Sequence, residues 1–415
     1  MMICGKTELC IFDDAPAQTM VESATFADIH PNTLIEGKNV DNIEFMINGS
    51  ETEYLDLNDT MIYLKLQVKN KDGSALAAAA TTTPTNYLLN SLFSDASLSL
   101  NDTVIEGGDR LYAYKSTIET IFNFSEDTKR IQLESAGYCE KEDERKLWIK
   151  DSREFELTGA LRFDFFNQPK YLLPGVNVRI QLQRSKAAFS LVDRNNATYI
   201  DLKKAILYVR RVKVNTALSL GHQLGLIKAN AVYPITKSQV ISYTIATGSM
   251  SYFKDNIFSS LRLPKFVVVG FVSAKAFTGA FAEPPFNFQH FNVNSVGLLC
   301  DGQSVPFRNV YEPDFAKGQF TREYQISMLH NTEHFNTNKN NGVSMKMFAD
   351  GGYSLFTFNL TPDFSMTTVQ APRDGNLRLD VKFAQPLPNA INVVIYGLFD
   401  SSIQIGKNKQ VIKPL

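Results

Sequence analysis

The stretch TEYLDLNDTMIYLKLQV, residues 52–68, decides the fold class of this chain. Its second half alternates apolar and polar side chains, a period of two that places the apolar ones on one face of a sheet. The apolar members of the pattern are Ile62, Leu64, Leu66 and Val68. Asn58-Asp59 supplies a turn signal between the two halves. The stretch therefore predicts a strand, a turn and a half-buried strand, which is typical of an all-β protein.

A second strand pair is predicted in NYLLNSLFSDASLSLNDTVIEGG, residues 86–108. Asn101-Asp102 supplies its tight turn, because Asn and Asp tolerate a left-handed backbone. Beyond this hairpin the apolar residues follow helical spacing. They are Leu111, Tyr114, Ile118, Ile121 and Phe122. We therefore predict an all-β fold with short helices in the loops between strands.

The second half of the chain repeats the first at an offset of about 200 residues. The matched segments are 98–102 with 298–302, 176–180 with 377–381, 43–47 with 240–245, and 62–68 with 266–272. The helix recurs too, since Phe320, Tyr324 and Met328 are spaced by four after the second hairpin. The shared order and offset predict tandem copies of one β fold, and the many short strands favour a jelly-roll sandwich for each copy.

The length of 415 residues also favours two domains, because a single core stops growing at roughly 250–300 residues. Residues 1–38 show no sheet period, and we predict an arm there that serves assembly and not folding. Residues 39–215 are predicted to form the first jelly roll, ending where the strand pattern breaks at Asn215. Residues 216–415 are predicted to form the second, with 216–230 as a linker that contains a helical turn.

Charge and cysteine content argue against several classes of protein. The chain has 42 basic and 43 acidic residues and no basic run at either end, so we expect no direct or sequence-specific nucleic-acid binding. Four scattered cysteines predict free thiols in a reducing compartment. The beginning MMICGKTELC lacks a signal-peptide core, and the run FVVVGFV at 266–272 is far below the ~20 residues of a membrane helix. We expect a protein that is not secreted, with no transmembrane segment.

A search for chemistry yields no candidate catalytic, cofactor-binding or metal-binding residue. His330 and His334 are four apart, but the catalytic zinc motif needs Glu directly after the first His, where Asn331 stands. The sequence also lacks a phosphate-cradling glycine loop, a nucleophile elbow and a cysteine pair at metal-ligand spacing. We therefore predict a protein that is not an enzyme and has no cofactor.

Two local features carry further predictions. The charge run KEDERK, residues 141–146, is predicted to be a solvated loop beside a buried anchor at Trp148. Four phenylalanines of the second half are candidates for contact between subunits, with packing under their own jelly roll as the alternative. They are Phe277, Phe281, Phe286 and Phe288.

The motifs of the first half follow an order that resembles the hexon-type major capsid proteins of polintons and adintoviruses. The segments that carry the resemblance lie in residues 8–138 and in 353–365 of the second half. They are IEFMING, YLDLNDT, NSLFSDASLSLND, NFSEDTKRIQLESAG and YSLFTFNLTPDFS.

The resemblance implies a double jelly roll that forms a homotrimer with six jelly rolls around a pseudo-sixfold axis. It further implies that such trimers tile an icosahedral shell around double-stranded DNA, in contact with minor capsid or penton proteins. The protein would be made in the cytoplasm or nucleus of a host cell and would reside in the virion.

A second class remains open, because carboxylate pairs that folding brings together leave no local motif. The alternative is a soluble two-jelly-roll carbohydrate-binding protein or glycan hydrolase. Such a protein would more naturally carry a signal peptide, disulfides and several Trp residues for sugar stacking, whereas this chain has one Trp. A penton or minor capsid protein is a weaker rival, since such subunits usually carry one jelly roll.

Overall fold

A computed structural model describes residues 18–413 apart from 36–39, 78–79, 194–197, 307–309, 331–340, 363, 365–368 and 370. The predicted fold class is confirmed: the chain consists of two tandem jelly rolls of antiparallel strands, with short helices in the connecting loops. Each jelly roll has eight main strands in two sheets of four.

The first jelly roll contains strands β1–β8. They are β1 Val21–Ile29, β2 Asn42–Ile47, β3 Glu53–Asn70, β4 Phe93–Leu100, β5 Thr103–Glu106, β6 Phe155–Gly159, β7 Val178–Arg184 and β8 Thr198–Val214. One sheet has the order β1-β8-β3-β6 and the other β2-β7-β4-β5. Apolar side chains from both sheets form one buried core, to which β3 contributes the alternating residues predicted at 62–68.

The second jelly roll contains strands β9–β16. They are β9 Ala231–Ile245, β10 Ser251–Lys254, β11 Phe266–Ser273, β12 Val293–Cys300, β13 Gln303–Val305, β14 Leu355–Asn359, β15 Leu377–Phe383 and β16 Ile391–Ile405. Its sheets have the orders β9-β16-β11-β14 and β10-β15-β12-β13. Each strand therefore occupies the place of the strand eight positions earlier, so the two halves share one topology.

The helices lie between these strands. They are α1 Leu88–Ser91, α2 Tyr112–Asn123, α3 Glu142–Trp148, α4 Ala187–Ser190, α5 Thr216–Lys228, α6 Ala274–Thr278, α7 Thr321–Tyr324 and α8 Met345–Asp350. A π-helix, Gln325–His330, continues α7, so the predicted spacing of Phe320, Tyr324 and Met328 does fall on helical turns. Two further short pairings join Thr83–Pro84 to Leu191–Val192, and Val411–Ile412 to β16.

The internal repeat was predicted correctly for three of its four segment pairs. Residues 62–68 and 266–272 lie in β3 and β11, the two hairpins are β4-β5 and β12-β13, and 176–180 and 377–381 fall on β7 and β15. The match of 43–47 with 240–245 is wrong. The first lies in β2, whereas the second ends β9, the counterpart of β1.

The wrong match of 43–47 with 240–245 has the same cause as a second error, the failure to predict strand β1. Residues 21–29, which the sequence assigned to an irregular arm, form strand β1 and pair with β8 from Ile29↔Leu207 to Val21↔Val214. Every side chain of β1 is exposed or half-buried, so the segment shows no apolar alternation. Residues 1–17 of the predicted arm lie outside the described residues.

Two local predictions also need correction. Asn58-Asp59 makes no chain reversal, because β3 runs through both residues and accommodates them in a bulge where its register with β8 shifts between Tyr208 and Arg210. The charge run at 141–146 is not a loop: α3 begins at Glu142, with acidic residues in its first turn and basic ones in its last, which complements the helix dipole.

The segment predicted as a linker with a helical turn is a helix of 13 residues, α5. Asn215 caps it, since its side-chain Oδ1 accepts a hydrogen bond from Ala217 N at 2.8 Å. The proposed division at residue 215 therefore precedes a helix. The apolar cores cross that division, because Ile403 and Ile405 belong to the first core and Tyr114 and Phe122 of α2 belong to the second.

Candidate functional site

His222 and His290 contact neighbouring side chains of this chain and form no metal site among the described residues. Among the described residues, no group of three His, Cys, Asp or Glu side chains is placed to hold a metal ion. His222 Nδ1 lies 2.7 Å from the hydroxyl of Tyr54. His290 stacks on Phe315 at 3.9 Å between ring centroids, and burial lowers the pKa of its imidazole. His334 lies outside the described residues, so the pair it makes with His330 is not described.

Charged side chains cluster instead at the junction of the two jelly rolls. Lys115 of α2 places its Nζ 2.8 Å from Asp164 Oδ1 and 3.4 Å from Glu106 Oε2. These three side chains are 13%, 4% and 9% exposed, respectively, so the group is largely removed from water. Burial on this scale requires paired charges and satisfied hydrogen bonds.

Backbone and hydroxyl donors complete the cluster. Glu106, at the end of β5, accepts hydrogen bonds from the backbone N–H groups of Asp164 at 2.8 Å and Phe165 at 2.7 Å. Asp164 accepts from Ser238 of β9, through the backbone N–H at 2.7 Å and the hydroxyl at 2.9 Å. All four oxygens of these two carboxylates have protein partners, and Asp164 connects the first jelly roll to the second.

The pKa shifts in this cluster have two causes, burial and the charges of the neighbouring groups. Burial disfavours the Lys115 ammonium, but the charges of Asp164 and Glu106 outweigh it and hold the pKa of Lys115 above its ordinary value. Burial, reinforced by repulsion from Asp164, raises the pKa of Glu106 to about 7. The cluster therefore contains a carboxyl group that changes its charge near neutral pH.

A second buried acid lies one turn further along α2. Glu119 Oε1 accepts a hydrogen bond from the hydroxyl of Tyr396 on β16 at 3.2 Å. Its other oxygen, Oε2, is buried without a hydrogen-bond partner in the part of the chain that the structure describes. Burial raises the pKa of Glu119 to about 7, against the opposing charge of Lys115. Glu119 thus forms another polar link between the two jelly rolls.

The contacts of this cluster are those of a structural link between the two jelly rolls. The cavity beside it measures about 240 Å³, below the ~300–1,000 Å³ of typical ligand sites, and includes Glu106, Lys115 and Asp164 in its lining. A glycosidase holds its two carboxyls on either side of a substrate cleft. Here the carboxylates bind protein donors instead. The sequence did contain one signal that we missed, since Lys115 falls on the apolar face of the predicted helix, four residues after Leu111.

Aromatic side chains fill the apolar part of the same junction. Tyr114 of α2 stacks on Phe277 at 5.3 Å and meets Phe286 and Phe288 edge-on at 5.5 and 6.2 Å. Its hydroxyl donates to the carbonyl of Pro285 at 3.0 Å. Three of the four phenylalanines that were candidates for a subunit contact therefore pack within this chain. The fourth, Phe281, packs against the core of the first jelly roll.

Helix α5 presents a row of exposed apolar side chains at the described surface. Leu220, Leu224 and Ile227 are 55%, 54% and 60% exposed and follow one another at spacings of four and three along one helical face. Clustered exposed apolar residues mark interaction sites more often than scattered ones do. No helix in the described ranges is long and apolar enough to cross a membrane.

Two jelly rolls of one topology, joined through a buried ionic and aromatic junction, define the double jelly-roll class of proteins. Comparisons with solved structures agree. The chain is similar to one in the cryo-EM structure of the Sputnik virophage, with a TM-score of 0.65 and 11% identity over 100% of this chain and 93% of that one. It is similar to the mavirus major capsid protein, with a TM-score of 0.57 and 11% identity over 99% and 93%.

A third similar structure is the PBCV-1 virus capsid, with a TM-score of 0.58 and 12% identity over 97% of this chain and 100% of that one. The amino-acid sequence matches no family model. It is 25% identical over 383 residues to "Uncharacterized protein F54H12.2" of Caenorhabditis elegans, spanning 86% of this chain and 89% of that protein. At these identities the structural similarities establish the double jelly-roll fold.

Proposed function

We propose that this chain is the major capsid protein of a polinton-like double-stranded DNA virus, a structural subunit of the virion and not an enzyme. The observation that carries the proposal is the exact repetition of strand order in two jelly rolls within one chain. The full-length similarity to the Sputnik and mavirus structures supports it. The order of motifs in residues 8–138 favours the polinton and adintovirus lineage over other viruses with this fold.

The geometry favours a homotrimer. Two lobes of equal topology, fixed to each other by Asp164, Ser238 and the aromatic cluster, make a subunit that presents two similar faces. Three such subunits around a threefold axis form a six-lobed ring, which packs on a hexagonal lattice. We propose that these rings tile an icosahedral shell and contact minor capsid or penton proteins at its special positions.

The charge balance supports a shell that encloses DNA without binding it in a sequence-specific way. The net charge is -1, with basic and acidic residues nearly equal in number. A protein that neutralises many phosphates needs a clear excess of Lys and Arg. We propose synthesis in the cytoplasm or nucleus of the host cell, followed by assembly into the virion.

The carbohydrate-active alternative finds less support. Trp148, the one tryptophan, is half-buried and packs against the first core, and the carboxylates of the junction are occupied by internal donors. Light scattering coupled to gel filtration tests the two functions. We expect three times the chain mass of 46.5 kDa, unchanged on dilution. A stable monomer that binds immobilised glycans would contradict the capsid proposal.

A further inference from the structure

A large apolar groove lies beneath α5, the helix between the two jelly rolls. Its volume is about 640 Å³, and its lining combines one side of the helix with residues of both jelly rolls. Representative lining residues are Tyr54, Val214, Leu218, Leu226, Val232 and Tyr233. The volume is within the range that binds drug-sized ligands or short peptide segments.

The helix above the groove is poorly covered by the described residues. Of its 13 residues only Leu226 is buried, and Leu218 and Ser219 are half-buried. The helix carries no Asp, Glu, Lys or Arg before Lys228. A surface helix that packs only through one edge normally has charged residues on its remaining faces. The side of the helix that lines the groove also lacks these four residue types, since it consists of Leu218, Gly221, His222, Gly225, Leu226 and the C-cap residue Ala229.

The described part of the chain begins at the mouth of this groove. Met20 and Val21 line it, and Met20 O accepts a hydrogen bond from Asn215 N at 2.8 Å, directly before α5. Seventeen residues precede Gln18. Fully extended, this segment would reach about 55–60 Å, whereas α5 with its 13 residues is only about 20 Å long. The preceding segment is therefore long enough to follow the whole groove.

The composition of that segment complements the groove. Residues 1–17 contain the apolar run Leu9 to Phe12, followed by Asp13-Asp14. Among the residues that the structure describes, Lys170 is the one Lys, Arg, Asp or Glu side chain lining the groove. Its Nζ donates to the carbonyl of Val232 at 2.7 Å, and no carboxylate in the described ranges lies within salt-bridge distance. The apolar run therefore complements the apolar lining of the groove, and the acidic pair complements the charge of Lys170.

We propose that residues 1–17 bind in the groove beneath α5 of their own chain. Leu9, Ile11 and Phe12 cover its apolar lining, and Asp13-Asp14 face Lys170. The segment then connects the first jelly roll to α5 and shields the groove side of that helix from water. The inference is independent of the capsid proposal, because the contact is made within a single subunit.

Cross-linking through the native Cys10 tests the proposal. Cys4, Cys139 and Cys300 are replaced by serine, Ala229→Cys adds a thiol at the groove, and a short bismaleimide is applied to the full chain. We expect an internal cross-link, identified by mass spectrometry as a peptide pair within one chain. The control is Val104→Cys in place of Ala229→Cys, because Val104 is exposed on β5 in the other sheet of the first jelly roll.

Hydrogen exchange supplies an independent measure. Amides of α5 should exchange about tenfold faster in Ile11→Asp/Phe12→Asp than in the parent chain, whereas Lys6→Ala should leave them unchanged. An unaltered α5 in the double variant would overturn the proposal. A cross-link found only between two chains would overturn it as well, since the groove would then be filled by a neighbouring subunit. A trimer that lacks the internal cross-link would refute this inference and leave the capsid proposal standing.

Discussion

Ser238 of β9 donates two hydrogen bonds to the carboxylate of Asp164, one from its backbone N–H at 2.7 Å and one from its hydroxyl at 2.9 Å. Ser238 belongs to the second jelly roll and Asp164 to the first. The same carboxylate forms the ion pair with Lys115 at 2.8 Å. One buried side chain thus links the two lobes, alongside Glu119 and the aromatic cluster around Tyr114. The proposed six-lobed ring requires such a fixed placement of the lobes.

Asp164→Asn should destabilise the subunit by about 3–5 kcal/mol, because it leaves the buried Lys115 ammonium without its nearest counter-charge. The measurement is the midpoint of urea unfolding. Asp102→Asn is the matched control: Asp102 also forms an ion pair, with Arg179 at 2.8 Å, but its side chain is 88% exposed. A surface pair contributes about 0–1 kcal/mol. Equal effects of the two substitutions would show that the buried ion pair of Asp164 contributes no more to stability than a surface pair.

The stability of the subunit should fall as the pH rises from about 5 to 8. Glu106 and Glu119 ionise near their ordinary value of 4.5 in the unfolded chain, whereas burial raises the pKa of both to about 7 in the folded state. Between these values the folded state holds more protons, so the free energy of unfolding decreases with pH by about 1–3 kcal/mol per carboxyl. Melting temperature measured across this range checks the sign.

Glu119→Gln provides the test of that assignment. The amide keeps an acceptor for Tyr396 and removes the ionisable group, so the slope of melting temperature against pH should be shallower than in the parent chain. An unchanged slope would mean that other groups determine the pH dependence. Glu156→Gln serves as the control, because this side chain is exposed on β6 and likewise accepts a hydrogen bond from a tyrosine hydroxyl, that of Tyr63 at 2.7 Å.

Tyr114→Ala should cost about 3–5 kcal/mol, because it removes the ring that contacts Phe277, Phe286 and Phe288 and leaves a cavity at the junction. Tyr114→Phe keeps the ring and loses only the hydrogen bond to Pro285, with an expected cost of about 1 kcal/mol. Chemical denaturation of both variants checks the difference. Similar values for both would show that the hydroxyl, and not the packing, carries the contribution of Tyr114.

Two truncations separate the N-terminal segment from the first jelly roll. Deletion of residues 1–16 should leave a folded subunit, since the deleted part precedes the first described strand. Deletion of residues 1–29 should prevent folding or cause aggregation, because it removes β1 and exposes the edge of β8. Circular dichroism and gel filtration report the outcome. A well-folded chain after the longer deletion would instead support the prediction that residues 1–38 form an arm that folding does not need.

Sequence periodicity predicted the strands whose two faces differ. Ile62 to Val68 alternate between buried and half-buried positions, and the uniformly apolar run at 266–272 is a buried strand as expected. Periodicity did not predict β1, whose side chains are all exposed or half-buried, or α3, whose charges stabilise a helix through its dipole and not through an apolar face. Both segments owe their structure to interactions that leave no apolar period.

The junction was harder to predict than the strands. Glu106, Lys115, Asp164 and Ser238 come from four separated segments, and only folding brings them within hydrogen-bond distance. Of these, Lys115 alone left a local sign, a charge on an apolar helical face. The contacts of Tyr114 with Phe277 and Phe286 join positions more than 160 residues apart in the sequence, which no local pattern indicates.

Electron microscopy of the purified, full-length protein tests the central claim most directly. The capsid proposal predicts particles with threefold symmetry in which six lobes of similar size surround a central axis. The six lobes should form three pairs, each pair belonging to one chain, with the junction of Asp164 and Ser238 between the two lobes of that chain. Single two-lobed particles at every protein concentration, with no threefold assembly, would contradict the account.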